Sequence, residues 1–362
     1  MAMAMLPPDW PGNFWAHWAI FTVIILAFVL LSVMAFIWFE RRAMAIMQSR
    51  LGPNRAGPFG LFQPVADSLK VMLKEDIVPS RADKLIHWLA PVVAFAPVMM
   101  VFAVVPFRGG ALLVDLNVGV LYVVAISSVT TMGIFMAGWA SNNKYSLLGA
   151  MRQVASVVSY EIPVVLSLVG VVLLAGSLSL QQIVQAQEIP FILVQPLGFL
   201  LFFIGALAEI NRAPFDLMEA DSELVAGFHI EYSGMKFALF YLVEYAEALV
   251  VAAIVTTLFL GGWRGPLLPD WLWFLLKVGA VFFVIVWVRT TVPRVRIDQL
   301  MAFAWKCLFP LALINLLVTA VEILVWPDVS LWLLVPVNFA VMIVLVLLWS
   351  KLFKLGWGRV NV

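Results

Sequence analysis

Residues 15–42 read WAHWAIFTVIILAFVLLSVMAFIWFERR, and this stretch decides the fold. Its first part, residues 15–39, contains no Asp, Glu, Lys or Arg. It is longer than the roughly 20 apolar residues that cross the hydrocarbon core of a bilayer. Glu40, Arg41 and Arg42 follow directly. An apolar run that ends in charged residues is typical of a membrane-spanning helix whose end lies at the membrane surface.

The rest of the chain repeats this pattern. Hydrophobic residues make up 64% of the sequence and charged residues 12%, which is about half the charge of a soluble protein. The further apolar stretches are 85–107, 114–139, 154–178, 190–210, 236–261, 270–289, 303–326 and 330–350. We therefore predict an all-α, polytopic membrane helical bundle of about nine transmembrane helices, forming a single transmembrane domain over residues 1–362. The extra C-terminal span, 330–350, is interrupted early by Pro336 and Asn338.

The basic residues are sorted by loop. All of the 22 lysines and arginines except Arg108, Arg264 and Lys277 lie in or beside every second loop or in the C-terminal tail. The positive-inside rule then predicts that the N-terminus lies outside and that the charged loops are cytoplasmic. No cleaved signal peptide is expected, because the N-terminus lacks a basic start and a small-residue cleavage site. The net charge of +1 gives no reason to expect nucleic acid as a partner.

The first cytoplasmic loop, residues 40–84, is more than a linker. Within it, the segment 61–74 places most of its apolar residues on one helical face, which predicts an amphipathic helix in the membrane interface. Arg42 alone is explained by anchorage, with its side chain reaching the lipid headgroups. The loop also carries Arg50, Asp67 and Lys70 and is rich in Gly and Pro, which favours a polar cleft beside the membrane.

Several carboxylates lie inside the predicted spans. Glu161 stands nine residues beyond Arg152, about 13 Å along a helix, and Glu244 and Glu247 share one face of the sixth span. Glu209 ends the fifth span. An ionisable group at such depth is costly and is a functional candidate by default. The alternative is a protonated carboxyl group with a structural role.

An acidic cytoplasmic loop, residues 210–235, follows the fifth span. Its acidic residues are Asp216, Glu219, Asp221, Glu223 and Glu231, and Arg212 is their only early counter-ion. Crowded carboxylates raise one another's pKa, which suits groups that hold and release protons. The alternative is a solvated acidic loop, which the interleaved apolar residues disfavour.

Two polar residues near the outer face and the few possible metal ligands give further predictions. Lys277 lies inside the seventh span and needs a partner or a route to the outer face. Glu322, near the outer end of the eighth span, is expected to reach water. One cysteine and three peripheral histidines provide too few ligands for a haem or an iron–sulfur cluster, so we expect no redox centre and no metal site in this chain.

Blocks along nearly the whole chain resemble one membrane subunit of respiratory complex I. This is the subunit that forms the quinone site, called the H subunit in bacteria and NADH dehydrogenase subunit 1 in mitochondria. The matching blocks are FERR at 39–42, RLGPNRAGPFGLFQPVADSLK at 50–70, KEDIVP at 74–79, GWASNNKYSLLGAMR at 138–152, SYEIP at 159–163, LAEINRAPFDLMEADSELVAGFHIEYSGMKFALF at 207–240 and VPRVRIDQLMAFAWK at 292–306.

The resemblance implies a function and a set of site residues. Quinone, as substrate, would enter from the bilayer between the first span, the amphipathic helix and the sixth span. The residues lining or supporting this tunnel would be Glu40, Arg41, Arg50, Asp67, Lys70 and Phe228. The proton path would be formed by Glu161, Glu209, Glu219, Asp221, Glu223 and Glu244. No catalytic residue is expected in this chain, because the residues that contact the quinone head group belong to a neighbouring subunit.

The resemblance also implies the setting. Partners would be the hydrophilic-arm subunits, which bear the iron–sulfur clusters and the quinone head-group site, and small membrane subunits of the same complex. The chain itself would hold no metal, haem, flavin or iron–sulfur cluster. It would lie in an energy-transducing membrane, most simply the bacterial plasma membrane. The electron donor could be NADH or ferredoxin.

Four departures and three alternatives accompany this interpretation. Asp221 replaces a common glutamate, and Met218 replaces a common proline. Some family members have a buried glutamate in the third span where this chain has Ser127 and Ser128, and Glu247 is an extra carboxylate relative to many members. The alternatives are the membrane subunit of a related membrane-bound hydrogenase, a free-standing proton or ion transporter, and a purely structural anchor.

Overall fold

The computed structural model describes residues 14–109, 114–217, 225–326 and 331–352, and every regular element within these ranges is helical. A bilayer offers no water to backbone groups, so a spanning segment must satisfy its own hydrogen bonds, as a helix does. The all-α prediction is confirmed. The helices of the first half are α1 (Phe14–Met47), α2 (Gln63–Met72), α3 (Lys84–Phe102), α4 (Gly119–Ala140) and α5 (Lys144–Ala175).

The second half begins with short helices and ends with long ones. They are α6 (Leu180–Ala186), α7 (Phe191–Val194), α8 (Pro196–Glu209), α9 (Gly234–Phe259), α10 (Asp270–Thr291), α11 (Ile297–Phe303), α12 (Phe309–Val325) and α13 (Leu331–Leu352). A π-helical turn, Ala304–Leu308, joins α11 to α12. In the described part of the chain, eight helical segments are long and apolar enough to span a membrane.

The fifth predicted span differs from the others because it is broken. It consists of the single turn α7 and the 14-residue helix α8, separated at Gln195. Pro196 has no backbone N–H, and the residue before a proline is disfavoured in the helical conformation. Gln195 indeed has φ −127° and ψ 64°. The span is therefore two helical pieces with a polar residue between them.

Helix α9 lies at the centre of the bundle. It is the most buried of the long helices and contacts α1, α2, α3 and α10, whereas α1 and α13 are the most exposed. Small side chains such as Ala246 and Ala253 are almost wholly buried along α9, and they allow neighbouring helices to approach closely. Close approach is also required where α4 crosses α3, since a Cβ atom on Gly133 would lie 2.6 Å from the backbone nitrogen of Ala94.

Lys277 has partners within the bundle. Its Nζ donates hydrogen bonds to the carbonyl oxygens of Leu260 (2.7 Å), Gly262 (3.0 Å) and Arg264 (2.7 Å). These carbonyls lie at and just beyond the C-terminus of α9, where the backbone has acceptors without helical partners. Lys277 thus caps the central helix.

The expectation that Glu322 reaches water is wrong. Glu322 is only 4% exposed, and its Oε2 accepts a hydrogen bond of 3.1 Å from Asn338 on α13. Asn338 also donates to the carbonyl of Val194 at 2.8 Å. The bonds from Asn338 hold α13 against this part of the bundle, so the carboxyl group lies among protein atoms and away from solvent. Pro336 and Asn338 lie within α13 and do not end it.

The amphipathic helix predicted in the first loop is present as α2. It contacts α1 and α9. Phe62, Leu69 and Met72 remain exposed, so the helix keeps an apolar face. Its position in the membrane interface stays a prediction.

Candidate functional site

A buried cluster of charged residues joins four parts of the fold. Glu40 lies near the end of α1 that is predicted to face the cytoplasm, and its side chain is wholly buried. One of its carboxylate oxygens is 2.6 Å from Nη1 of Arg212, in the loop after α8, and the other pairs with Nη1 of Arg289 on α10. A carboxylate removed from water needs such partners, because burial of an unpaired charge is strongly unfavourable.

Arg212 is the centre of this cluster. Its side chain is 0% exposed, and its Nε lies 3.3 Å from Oε1 of Glu244 on α9. The guanidinium carbon stands 4.2 Å from the centre of the Tyr245 ring, a cation–π contact. Burial alone lowers the pKa of Arg212, but the nearby charges of Glu244 and Glu40 outweigh it and raise the pKa above its ordinary value. The guanidinium therefore stays charged inside the protein.

Two neighbouring cavities extend from the cluster. The first, which we call the aromatic cavity, is lined by Ile134, Ile210, Asn211, Phe228, His229, Phe240, Tyr241, Val243, Glu244 and Glu247. The second, the carboxylate cavity, is lined by Val98, Val101, Ser127, Ser128, Thr130, Thr131, Val157, Glu161, Glu209, Ile210, Glu247, Val250 and Val251. Both include Ile210 and Glu247, so the two cavities adjoin at these residues.

The carboxylate cavity brings together three acidic side chains from three helices. Glu161 comes from α5, Glu209 from the end of α8 and Glu247 from α9. Oε1 of Glu161 accepts a hydrogen bond of 2.5 Å from the hydroxyl of Ser128 on α4. Ser128 thus holds the carboxyl group of Glu161 from the neighbouring helix. A cavity between carboxylates can hold water molecules. Protons could then pass through this water from one carboxylate to the next.

A further polar link connects the cluster to α2. Nη1 of Arg41 is 2.5 Å from Oδ2 of Asp67, and Gln63 donates to Oδ1 of the same carboxylate at 3.0 Å. The hydroxyl of Tyr241 is near enough to Arg41 to affect its pKa, and it lies 3.3 Å from the hydroxyl of Tyr245. Since Tyr245 stacks beneath Arg212, polar contacts run from the first loop to the buried cluster.

The structure places the predicted tunnel residues in different environments. Glu40 lies within the buried cluster, and Arg41 and Asp67 form the pair between α1 and α2. Phe228 is 3% exposed and lines the aromatic cavity. Arg50 and Lys70 are exposed; the guanidinium of Arg50 donates to Oε1 of Gln48 at 2.7 Å.

The predicted proton-path residues are only partly described. Glu161, Glu209 and Glu244 line the two adjoining cavities. Glu219, Asp221 and Glu223 lie outside the described residues. No group of three or more His, Cys, Asp or Glu side chains within the described ranges is placed to hold a metal ion.

Sequence reasoning did not predict which partners several residues of the cluster contact. Arg212 and Arg289 carry the positive charge of the cluster, and Tyr241 and Tyr245 connect it to the first loop. Arg212 had a signal, as the single early cation of an acidic stretch. The tyrosines had none, because aromatic residues within a span are ordinarily packing residues.

The chain is similar to known proteins over all the residues that form the site. Residues 20–320 match the family described as NADH dehydrogenase. The H subunit of NADH-quinone oxidoreductase from Dehalococcoides mccartyi (strain CBDB1) is 62% identical over 351 residues, which are 97% of this chain and 99% of that protein. The proteins of the same description from Geobacillus kaustophilus (strain HTA426) and Brevibacillus brevis (strain 47 / JCM 6285 / NBRC 100599) are 54% and 50% identical over 322 residues, covering 87% of this chain and 96% and 95% of theirs.

Proposed function

The chain belongs to the NADH dehydrogenase family and is a membrane subunit of an NADH-quinone oxidoreductase, and on that premise we propose that it admits quinone from the bilayer and carries part of the coupled proton path. The observation that carries the proposal is the continuity of ionisable groups. They run from the Arg41–Asp67 pair through the buried cluster to Glu161 in the carboxylate cavity.

The access route for quinone lies between α1, α2 and α9. These helices contact one another, and α2 exposes apolar side chains beside them. An isoprenoid tail matches such a surface by its apolar character. The Arg41–Asp67 pair and the partly exposed Tyr241 supply polar groups at the inner end of the same surface, where a quinone ring can accept hydrogen bonds. Entry at this position would bring the ring toward the buried cluster.

The coupling is electrostatic. Glu40 and Glu244 face Arg212 and Arg289, so the four formal charges of the cluster balance when all are ionised. A unit charge created about 4 Å from another changes its energy by about 4 kcal/mol at an effective dielectric constant of about 20. That energy corresponds to roughly a thousandfold change in affinity for a proton. Reduction of quinone near Arg41 would thereby alter proton binding along the carboxylates.

Proton transfer then needs donors, acceptors and water in sequence. Glu244 and Glu247 lie on one face of α9, and Glu247 belongs to both cavities. Glu247 is therefore placed to exchange protons with Glu244 on one side and with Glu161 and Glu209 on the other. The Ser128 hydroxyl orients the carboxylate of Glu161 toward the cavity.

The other subunits of the complex supply what this chain lacks. We assign the reaction with the electron donor, the iron–sulfur clusters and the quinone head-group site to hydrophilic-arm subunits that dock on the charge-rich loops. Small membrane subunits of the same complex would contact this chain within the membrane. The distribution of lysine and arginine supports an orientation with the N-terminus outside and the charged loops in the cytoplasm.

Photolabelling in the intact complex tests the access route. A quinone with a photoreactive group on its tail is illuminated with the purified enzyme, and the labelled peptides are identified by mass spectrometry. We expect labels on α1, α2 and α9 of this chain, and we expect an excess of unlabelled quinone to remove them. Competed labels confined to other helices or other subunits would refute the route.

A further inference from the structure

A second group of buried polar side chains lies near the end of the bundle opposite the charge-rich loops. It consists of Gln195 between α7 and α8, Asn315, Thr319 and Glu322 on α12, and Asn338 on α13, each at most 7% exposed. Gln195 and Glu209 lie at opposite ends of α8, about 21 Å apart along a helix. We call this group the outer polar cluster. The carboxylate path proposed above does not use it.

The cluster is built around the break in the fifth span. Nε2 of Gln195 donates to Oγ1 of Thr319 at 2.6 Å, and Asn338 donates to both the carbonyl of Val194 and the carboxylate of Glu322. Backbone groups freed by a broken helix inside a membrane need polar partners, and such breaks occur where protein or water satisfies them. In membrane transporters, interrupted helices commonly surround ion sites.

Three atoms of the cluster have no hydrogen-bond partner among the described residues. They are Oε1 of Gln195, Nδ2 of Asn315 and Oε1 of Glu322. The ion pairs of the described chain do not include Glu322. A buried polar atom without a partner costs on the order of 1 to 3 kcal/mol, and an unpaired buried charge costs more. These atoms therefore call for a small polar ligand and for a neutral form of the carboxyl group.

Two glycines allow the polar side chains of this cluster to pack closely against the helices. A Cβ atom on Gly198 would stand 3.2 Å from both Nδ2 of Asn315 and Oε1 of Gln195. A Cβ atom on Gly170 of α5 would stand 2.8 Å from Nε2 of Gln195. A larger residue at either position would crowd these polar side chains. Beside Gly198 they present one open donor, Nδ2 of Asn315, and one open acceptor, Oε1 of Gln195, which is the pairing that a water molecule satisfies.

We propose that the outer polar cluster is a proton-binding site, in which Glu322 carries the proton and Gln195 and Asn315 hold water that connects it to the membrane face opposite the charge-rich loops. A proton from water binds Oε1 of the carboxylate to form the neutral acid, and it leaves by the reverse step. No other bond is made or broken. The proposal does not depend on the quinone route described above.

Two other interpretations fit the contacts less well. A metal cation would be coordinated by oxygen atoms, whereas one of the three open atoms is the amide nitrogen of Asn315. A simple clamp for α13 would need only the bonds from Asn338, which leave the open atoms of Gln195 and Glu322 unexplained.

Thiol labelling tests whether water reaches the site. Glu322→Cys is introduced into the complex with Cys307→Ser, and a charged, membrane-impermeant thiol reagent is added to one face of sealed vesicles at a time. We expect labelling only from the face opposite the charge-rich loops. Leu317→Cys, on the outside of α12 and 57% exposed, is the matched control and should stay unlabelled. An assembled Glu322→Cys complex that is inert from that face overturns the proposal.

Infrared difference spectroscopy tests the proton itself and needs only a conservative change. Glu322→Gln keeps an oxygen for Asn338 but has no acidic proton. Alkaline solution at the outer face should remove a protonated-carboxyl absorption in the wild-type complex, and the Gln variant should lack this signal. Identical spectra for the two complexes overturn the proposal, and so does a signal that follows sodium rather than pH.

Discussion

At the scale of single residues, Arg212 is the side chain on which the buried charge cluster depends. It neutralises Glu40 and approaches Glu244, and these two partners belong to different helices. Its pKa is raised above the ordinary value, so it supplies a fixed positive charge at every pH at which the protein is folded. A fixed charge of this kind stabilises the ionised form of a carboxylate beside it.

Replacing Arg212 should destabilise the subunit. Arg212→Met leaves Glu40 and Glu244 with only Arg289 as a cation, and breaking a buried pair in this way typically costs about 3 to 5 kcal/mol. We expect less assembled complex and a lower apparent melting temperature. Arg294→Met, a change at an exposed arginine, is the control and should assemble normally.

A double variant separates charge from packing. Arg212→Met with Glu244→Gln restores the charge balance and leaves the Glu40–Arg289 pair intact. It should therefore be more stable than Arg212→Met alone. Additive losses in the two changes would show that the side chains are not coupled.

At the residue level, the sequence singles out a polar group where it contrasts with its surroundings, and the proton-path role of such groups stays a prediction. Glu161 and Glu244 stand out because carboxylates are rare within apolar stretches. Arg212 lies in a loop, where an arginine is ordinary, and its partner Glu40 is 172 positions away. Such a pairing is set by tertiary packing and leaves no local pattern in the sequence.

At the scale of elements, the central helix α9 depends on a contact from its neighbour α10. Lys277 donates to three carbonyls at the C-terminus of α9, and that helix supplies part of the wall of both cavities. The lengths of most spans were predictable because a bilayer fixes the number of apolar residues. The break at Gln195 was not, since Pro196 at the start of a helix and Pro196 at a break give the same local pattern.

Removing the Lys277 cap should loosen α9. Lys277→Met cannot donate to the three carbonyls, and the loss of hydrogen bonds from a charged donor is expected to cost roughly 2 to 3 kcal/mol. Thermal denaturation of the complex measures the effect. Arg108→Met, at an exposed position on the same face of the membrane, should leave the melting temperature unchanged. An equal melting temperature for the Lys277 variant would show that the cap is dispensable.

At the scale of the whole molecule, the charge distribution makes a prediction about orientation. Lys74 lies in the first loop and Leu267 in the connection between α9 and α10, and both are exposed. In a Cys307→Ser background, Lys74→Cys should react with an impermeant thiol reagent only from the cytoplasm and Leu267→Cys only from the outside. The reverse pattern would contradict the assignment of the N-terminus to the outer face.

The packing of the whole molecule also brings carboxylates from distant parts of the sequence close together. Those from α5, α8 and α9 line two adjoining cavities, and Glu40 from α1 pairs with Arg212 and Arg289 beside Glu244. Their presence was predictable from sequence, but their continuity was not, because it depends on how the helices cross.

The proton-to-electron ratio of the complex in sealed vesicles tests the central claim most directly. We predict that Glu161→Gln and Glu209→Gln lower or abolish proton translocation per quinone reduced. Glu188→Gln, at an exposed carboxylate outside both cavities, should retain the wild-type ratio. A wild-type ratio in both Glu161→Gln and Glu209→Gln, measured in fully assembled complexes, would contradict the proposed path.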